Sequence, residues 1–163
     1  MTQSACQSRF EQLMEIADRF ARHLSGDREK DLPPGVLLLE RDGQLHTVVF
    51  DGTHRELAAT ARDMVTRHHV TSVALIVTVK ASQPDESSDT LYVLGETAEG
   101  SVAERRYRVQ PVFRRRRLLP VAPDEAVDDR RAVLKAFRPL FVPGAVPAVP
   151  AASTERRVAV GVA

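Results

Sequence analysis

The stretch Val73-Ala74-Leu75-Ile76-Val77-Thr78-Val79 decides the fold of this chain, because it is the most hydrophobic run in the 163 residues. β-Branched side chains are prominent in it, and they favour a pleated, buried surface. A continuous apolar run of this length is typical of a strand that is covered on both faces. We therefore predict a central strand over 73–79 and build the rest of the fold outward from it.

A helix is predicted immediately upstream of the central strand, from Thr53 to about His69. Thr53 and Glu56 have the spacing of a capping box, in which each side chain bonds the backbone N–H of the other residue. The residues expected on the buried face of this helix recur at three- and four-residue intervals: Leu57, Ala58, Ala61, Met64, Val65 and His68. This helix lets the chain cross over the sheet before the central strand begins.

A β-hairpin is predicted before that helix. The apolar run 36–39 and the segment 45–50 read as its two strands. Asp42-Gly43 lies between them and is a strong turn signal, because glycine takes the positive φ that such tight turns require.

An amphipathic helix is predicted over 8–25, at the beginning of the chain. Its apolar stripe consists of Phe10, Leu13, Met14, Ala17, Phe20, Ala21 and Leu24. Charged residues fill the other positions, as expected for a helix that covers a sheet with one face.

Two further strands, 90–97 and 102–112, are predicted after the central strand, on either side of the turn 98–101. The strand pattern fades into an arginine run at 114–117. A third helix opens at Pro123, with acidic residues at its start and basic residues at its end, which suits the helix dipole. Phe137 is among the residues of this helix that could dock on the domain, and Pro139 stops it.

These elements predict an α+β fold of order α-β-β-α-β-β-β-α, with two to three helices packed on a single, mainly antiparallel, five-stranded sheet. Residues 1–140 are expected to form one domain, and the Pro-, Ala- and Val-rich residues 141–163 a flexible tail. Over roughly 8–138 this order resembles that of roadblock-type and profilin-like domains. The resemblance implies a platform for dimerisation or partner docking.

The charge of the chain is unevenly distributed. The net charge is +1, yet residues 1–100 carry 16 acidic and 10 basic side chains, whereas residues 101–163 carry 6 and 13. Such polarity can steer association with a second copy or with an oppositely charged partner. Most of the basic residues are arginine, a bias that a GC-rich bacterial genome would also produce.

Candidate binding residues cluster in the basic half: Arg105, Arg106, Arg108, Arg114, Arg115, Arg116 and Arg117. On a strand, Arg106 and Arg108 share one face, and Arg105 and Tyr107 share the other. Three interpretations stay open. The arginines could bind phosphates of a nucleic acid, pair with the acidic first part of the chain or of a second copy, or protect an edge strand from aggregation.

No motif for catalysis, a metal or a cofactor is recognisable, and we predict none of the three. The His68-His69 pair points in two directions on a helix, so the two side chains cannot share a metal. The acidic loop around Asp85 and Asp89 lacks the ligand spacing of a calcium loop. The nearest approach to a polar cluster is formed by His46, Asp51 and His54.

The function expected from the sequence is therefore that of a non-catalytic interaction or accessory domain. Its partner is expected to be a second copy or another protein, and nucleic acid is the alternative. No membrane span or secretory signal is visible. The single cysteine, Cys6, excludes an internal disulfide, so we expect a cytoplasmic protein.

Overall fold

The computed structural model describes residues 2–26, 31–80, 89–121, 135–141 and 156–158. Its helices and strands are α1 (Thr2–Ser25), β1 (Gly35–Arg41), β2 (Gln44–Phe50), α2 (His54–Arg67), β3 (Ser72–Val79), β4 (Asp89–Thr97), β5 (Val102–Val112), β6 (Arg115–Pro120) and β7 (Arg156–Val158). All neighbouring strands are antiparallel, in one sheet of order β6-β5-β4-β3-β1-β2-β7. The predicted α+β class with a single antiparallel sheet is therefore confirmed.

The predicted central strand, β3, lies in the middle of this sheet. It pairs with β1 on one side and β4 on the other, and each of its residues is buried. Continuous burial along a strand requires a cover on both faces of the sheet, because successive side chains point to opposite sides. The two helices of the described chain provide these covers.

The local signals around β3 are confirmed. Asp42 and Gly43 both have positive φ, 51° and 75°, as a two-residue turn that follows the twist of its strands requires. Thr53 and Glu56 form the capping box at the start of α2. The prediction for His68 is wrong: α2 ends at Arg67, and His68 is an exposed cap residue.

The first face of the sheet is covered by α1. Its buried residues Phe10, Leu13 and Met14 each stabilise the fold by about 1.5–3 kcal/mol through burial of apolar surface. α1 lies so close to β4 that a Cβ on Gly95 would be only 2.3 Å from the Met14 sulfur. Any larger residue at position 95 would therefore have to displace the side chains of Met14 and Phe10 where α1 crosses β4.

The second face is covered by α2 together with residues 135–141, which we call the docking segment. Phe137 and Leu140 of this segment are fully buried in the same core as Leu57 and Met64 of α2. The predicted docking of Phe137 on the domain is thus observed. Each helix has its own core, and the sheet separates the two.

The structure differs from the sequence prediction in three elements. α1 begins earlier, at Thr2, because the sequence of its first turns carries no apolar pattern that could reveal them. The arginine run belongs to a strand, β6, that was not predicted. Leu118 is the only buried residue of β6, so the strand lacks the apolar alternation that would reveal it in the sequence. A further strand, β7, pairs with β2 at the other end of the sheet.

Two predictions are left open. The beginning of the third helix, at Pro123, lies outside the described residues. Of the proposed flexible tail the structure describes 156–158, which form β7, and leaves out 142–155 and 159–163. The domain limits at residues 140 and 141 therefore stay predictions.

Candidate binding surface

In the part of the chain that the structure describes, the hairpin of β5 and β6 extends beyond β4. There β4 pairs with β5 from Val102 to Val109, whereas β5 continues to Val112. Residues 110–112 of β5 pair with 115–117 of β6. Residues 110–117 thus form a two-stranded projection, which we call the ribbon.

The tip of the ribbon exposes apolar side chains. Phe113 is 85% exposed and Val112 is 48% exposed. The turn places Phe113 at a positive φ of 53°, and the Arg114 guanidinium lies over its ring at 6.0 Å from the centroid. An exposed aromatic residue beside an arginine is a typical composition for the centre of a protein interface.

The seven candidate arginines do not form one patch. Directly opposite residues of an antiparallel pair share a face, so the register of β4, β5 and β6 assigns each side chain. Arg105 and Arg116 lie on the face of α1, and Arg114 lies in the turn. The other four lie on the opposite face: Arg106, Arg108, Arg115 and Arg117. The predicted separation of Arg105 and Tyr107 from Arg106 and Arg108 is confirmed.

Arg105 is bound to α1 by acidic residues of the first part of the chain. Its Nη2 donates to Glu15 Oε1 at 2.7 Å, and its Nη1 lies 3.8 Å from Asp18 Oδ1. Asp18 also accepts from Arg22 at 3.0 Å and from the hydroxyl of Tyr107. We call Glu15, Asp18, Arg22, Arg105 and Tyr107 the Asp18 cluster.

Burial and pairing both act on the titration of the Asp18 cluster. Burial favours the neutral carboxyl of Asp18, but the bonds from Tyr107 and Arg22 and the charge of Arg105 outweigh it, so the pKa of Asp18 is lowered. Burial, helped by the bond to Asp18, raises the pKa of Tyr107. The cluster is therefore ionic, with a neutral tyrosine, at neutral pH.

Arg106 is also committed to the domain. Its Nε donates to Glu104 at 2.5 Å, its guanidinium lies 6.0 Å from the centre of the Tyr92 ring, and its side chain is only 14% exposed. The Nη1 atom is buried and has no hydrogen-bond partner among the described residues. Arg106 thus helps to cover β4 and offers little to an incoming molecule.

The exposed cations of the candidate set lie on and next to the ribbon. Arg108, Arg114, Arg115 and Arg117 are exposed, and Arg116 is half-buried. Arg115 and Arg117 project from the same face, about 7 Å apart at two residues of strand rise. Pairing with the acidic first part of the chain, one of the three interpretations of the arginines, is observed for Arg105. The sequence analysis did not single out its partners, although Glu15, Asp18 and Arg22 recur at helical spacing.

The described residues offer little for other chemistry. No group of three or more His, Cys, Asp or Glu side chains within them could hold a metal ion. His54 Nε2 lies 2.8 Å from the Thr78 carbonyl oxygen, and its ring stands edge-on to Phe137. His54 is thus engaged with the fold, whereas His46 and Asp51 are exposed.

Two open clefts occur beside these elements. One, of about 350 Å³, is lined by residues 104–107 together with Pro120 and Val121. The other, of about 200 Å³, lies between α1 and the β1–β2 hairpin and includes Arg9 and Glu40. Burial raises the pKa of Glu40.

Comparisons with known proteins identify no relative of this chain. No protein-family model matches the chain, and neither a curated protein nor a solved structure matches it. The likeness to roadblock-type and profilin-like domains therefore stays a likeness of element order, and function has to be argued from the surface. Within the described residues, no helix has the length and apolar character needed to cross a membrane.

Proposed function

We propose that the protein is a non-catalytic interaction module that docks an acidic partner protein through the ribbon. The observation that carries the proposal is the exposed tip, where Phe113 lies beside Arg114 in the turn of the projection formed by β5 and β6. Aromatic residues and arginine supply much of the binding energy in protein interfaces. The single cysteine favours a cytoplasmic setting, and the arginine bias a bacterial one.

The partner is expected to present acidic side chains around an apolar pocket. The pocket would take Phe113 and Val112, and the acidic rim would meet Arg115 and Arg117. Charge complementarity of this kind raises the association rate and excludes wrong partners more than it fixes affinity. Two copies of the ribbon would repel each other, so self-association, which we also propose, requires a different surface.

Nucleic acid is the second candidate for the ribbon. The Arg114–Phe113 pair favours it, because bases stack on aromatic rings and guanidinium groups. A two-stranded β-ribbon also fits the major groove of DNA. Binding of this kind would weaken steeply with salt, because each phosphate contact releases counterions.

Fluorescence anisotropy with two labelled probes tests both candidates. The probes are a 20-residue peptide of glutamate interspersed with leucine and phenylalanine, and a 20-nucleotide oligothymidine. We expect the peptide to bind, and Phe113→Ser and Arg115→Glu/Arg117→Glu each to weaken it at least tenfold. Tighter binding of the oligonucleotide, with a steep salt dependence, would establish nucleic acid instead.

The chain offers a matched control for charge. Arg19→Glu/Arg55→Glu changes the net charge by the same amount at two exposed positions on α1 and α2, and leaves every ribbon residue unchanged. We expect a smaller loss of peptide binding than for Arg115→Glu/Arg117→Glu. Equal losses would indicate a diffuse charge effect, and absence of binding to both probes would refute the proposed role of the ribbon.

A further inference from the structure

The open cleft between α1 and the β1–β2 hairpin, which we call the α1 cleft, has an apolar lining. Its volume is about 200 Å³, which is less than the roughly 300–1,000 Å³ of pockets for drug-sized ligands, so it suits a small molecule. Leu13 and Ile16 of α1 and Leu45 of β2 line it. Leu13 is buried, whereas Ile16 and Leu45 are half-buried. A ligand with an apolar group would cover this surface and release the water that now contacts it.

One charge of each sign also lines the α1 cleft, on opposite walls. Arg9 lies on α1, one turn before Leu13, and is exposed. Glu40 lies on β1 directly opposite Leu45, so the two side chains share the face of the sheet that α1 covers. Burial raises the pKa of Glu40, although the positive charge of Arg9 acts in the opposite direction. The two charges therefore act on each other across the cleft.

The Glu40 carboxylate is held in place by the neighbouring strand. β1 pairs with β3 so that Glu40 lies opposite Ser72, and the buried Ser72 hydroxyl donates a hydrogen bond to the carboxylate. A carboxylate has about four acceptor sites, so this bond leaves capacity for a further donor. In the described part of the chain, Arg9 takes part in no ion pair, and its guanidinium donors can meet an incoming anion.

We propose that the α1 cleft binds a free α-amino acid with an aliphatic side chain. The ligand carboxylate pairs with Arg9, whose planar guanidinium matches two carboxylate oxygens, and the ligand ammonium group pairs with Glu40. The aliphatic side chain covers Ile16 and Leu45. A ligand of single charge would leave one wall without a counterion, and a polar side chain would be desolvated against apolar residues, so both are disfavoured. None of these residues belongs to the ribbon, so the site is independent of its partner.

A direct ion pair between Arg9 and Glu40 is the arrangement with which the ligand competes. Such a pair near the surface contributes little, because water screens the charges and a long side chain loses rotational freedom. The ligand offers each charge a counterion and in addition covers apolar surface. Because it contacts α1 and the hairpin at once, it should also stabilise the folded protein.

Nuclear magnetic resonance titration of the isotope-labelled full-length protein with L-leucine and three analogues tests the site. We expect saturable binding of L-leucine with a dissociation constant below about 1 mM. N-acetyl-L-leucine lacks the ammonium charge, L-leucinamide lacks the carboxylate and glycine lacks the side chain, so each should bind at least about tenfold more weakly. No binding of L-leucine up to about 10 mM, or equal binding of any analogue, would refute the proposal.

Two variants assign each end of the ligand to its wall. Arg9→Gln should weaken L-leucine at least about tenfold and leave the weak binding of L-leucinamide unchanged, because that analogue has no carboxylate. Glu40→Gln should likewise weaken L-leucine and leave N-acetyl-L-leucine unchanged. Arg19→Gln alters an exposed arginine of α1 outside the cleft and should bind L-leucine as the wild type does. A variant that weakens L-leucine and its matched analogue equally would show that the residue does not contact that end of the ligand, which contradicts the proposal.

The spectra of the wild type keep the test decisive if a variant fails to fold. L-leucine should shift amide signals of the α1 cleft, such as those of Ile16 and Leu45, and leave those of the ribbon unchanged. Shifts that centre on the ribbon, or that spread evenly over the protein, would refute the site. Neither result bears on binding of the acidic peptide by the ribbon, so the two proposals stand or fall separately.

Discussion

Arg105 and Arg117 are the same kind of residue on neighbouring strands, and the fold uses them in opposite ways. Arg105 lies under α1, where Glu15 and Asp18 neutralise it. Arg117 lies on the ribbon, is exposed and has no ion pair within the described residues. Whether an arginine stabilises the fold or is available to a partner therefore depends on its position relative to α1, and not on the arginine content of the strand.

The energetic consequences of the two positions differ for a physical reason. Asp18 and Tyr107, to which Arg105 is linked, are nearly buried, and removal of one of them leaves an unsatisfied polar group of the other, which is costly. An exposed charge is solvated by water in the folded and unfolded states alike, so its removal changes stability little. The free energy of unfolding, measured for variants of the Asp18 cluster and for variants of the ribbon, therefore tests this comparison.

Removal of the Asp18 side chain should have the largest effect. Asp18→Ala leaves Arg22 and the Tyr107 hydroxyl without their shared acceptor and removes the ion pair with Arg105, and we expect a loss of up to about 3 kcal/mol in the free energy of unfolding. Urea denaturation measures it. Arg117→Ala is the matched change on the ribbon and should cost less than about 0.5 kcal/mol. Equal losses would show that the two positions do not differ as described.

Displacement of α1 should have the next largest effect. Gly95→Ala places a methyl group 2.3 Å from the Met14 sulfur and 2.9 Å from the Phe10 ring, and overpacking of this kind costs about 1–3 kcal/mol. Gly26→Ala is the control, because its new Cβ would meet only ordinary contacts at 3.5 Å. Thermal unfolding of both variants checks this. A neutral Gly95→Ala would mean that α1 can shift without cost.

Acidification should weaken the cluster through Asp18. Because the pKa of Asp18 is lowered in the fold, its contribution is complete above the unfolded value of about 4 and is lost as pH falls through the folded pKa. Wild-type protein should therefore lose more stability between pH 7 and pH 3 than Asp18→Asn. Urea denaturation across this range measures the difference, and identical pH profiles would contradict it.

Glu40 supplies a control of opposite sign. Burial raises its pKa, so the folded state binds a proton at higher pH than the unfolded state does. Protonation of Glu40 therefore stabilises the fold as the pH falls. Glu40→Gln lacks this gain and should lose more stability on acidification than the wild type.

The smallest effect on stability is expected on the ribbon itself. Arg115→Gln/Arg117→Gln should change the free energy of unfolding by less than about 0.5 kcal/mol, because both side chains are exposed. The same variant should still lose most of its binding to the acidic peptide. A markedly lower stability of this variant would show that Arg115 and Arg117 stabilise the fold and are not simply exposed to solvent.

Much of the fold could be predicted because local chemistry decides it. The run 73–79, the Asp42-Gly43 turn and the Thr53–Glu56 capping box each depend on neighbours in sequence, and each is confirmed. β6 could not be predicted because an exposed edge strand of arginines carries no apolar alternation. His68 was misplaced because periodicity alone does not reveal where a helix ends.

The binding role of the seven candidate arginines stays a prediction. Strand geometry did separate Arg105 from Arg106, as the register of β5 confirms. It could not show that Glu15 and Asp18 neutralise Arg105, since the partners are 90 and 87 positions away and meet only after α1 packs on the sheet. The exposure of Phe113 likewise depends on where β4 stops pairing with β5.

The sequence by itself determined the element types, the central strand and the identity of the charged residues, because periodicity and turn chemistry act over a few residues. The tertiary structure alone sets which arginines are neutralised, where the ribbon extends beyond β4 and how residues 135–141 pack beside α2. These features depend on contacts between parts of the chain that are distant in sequence, so they form only when the helices, the strands and residues 135–141 pack together.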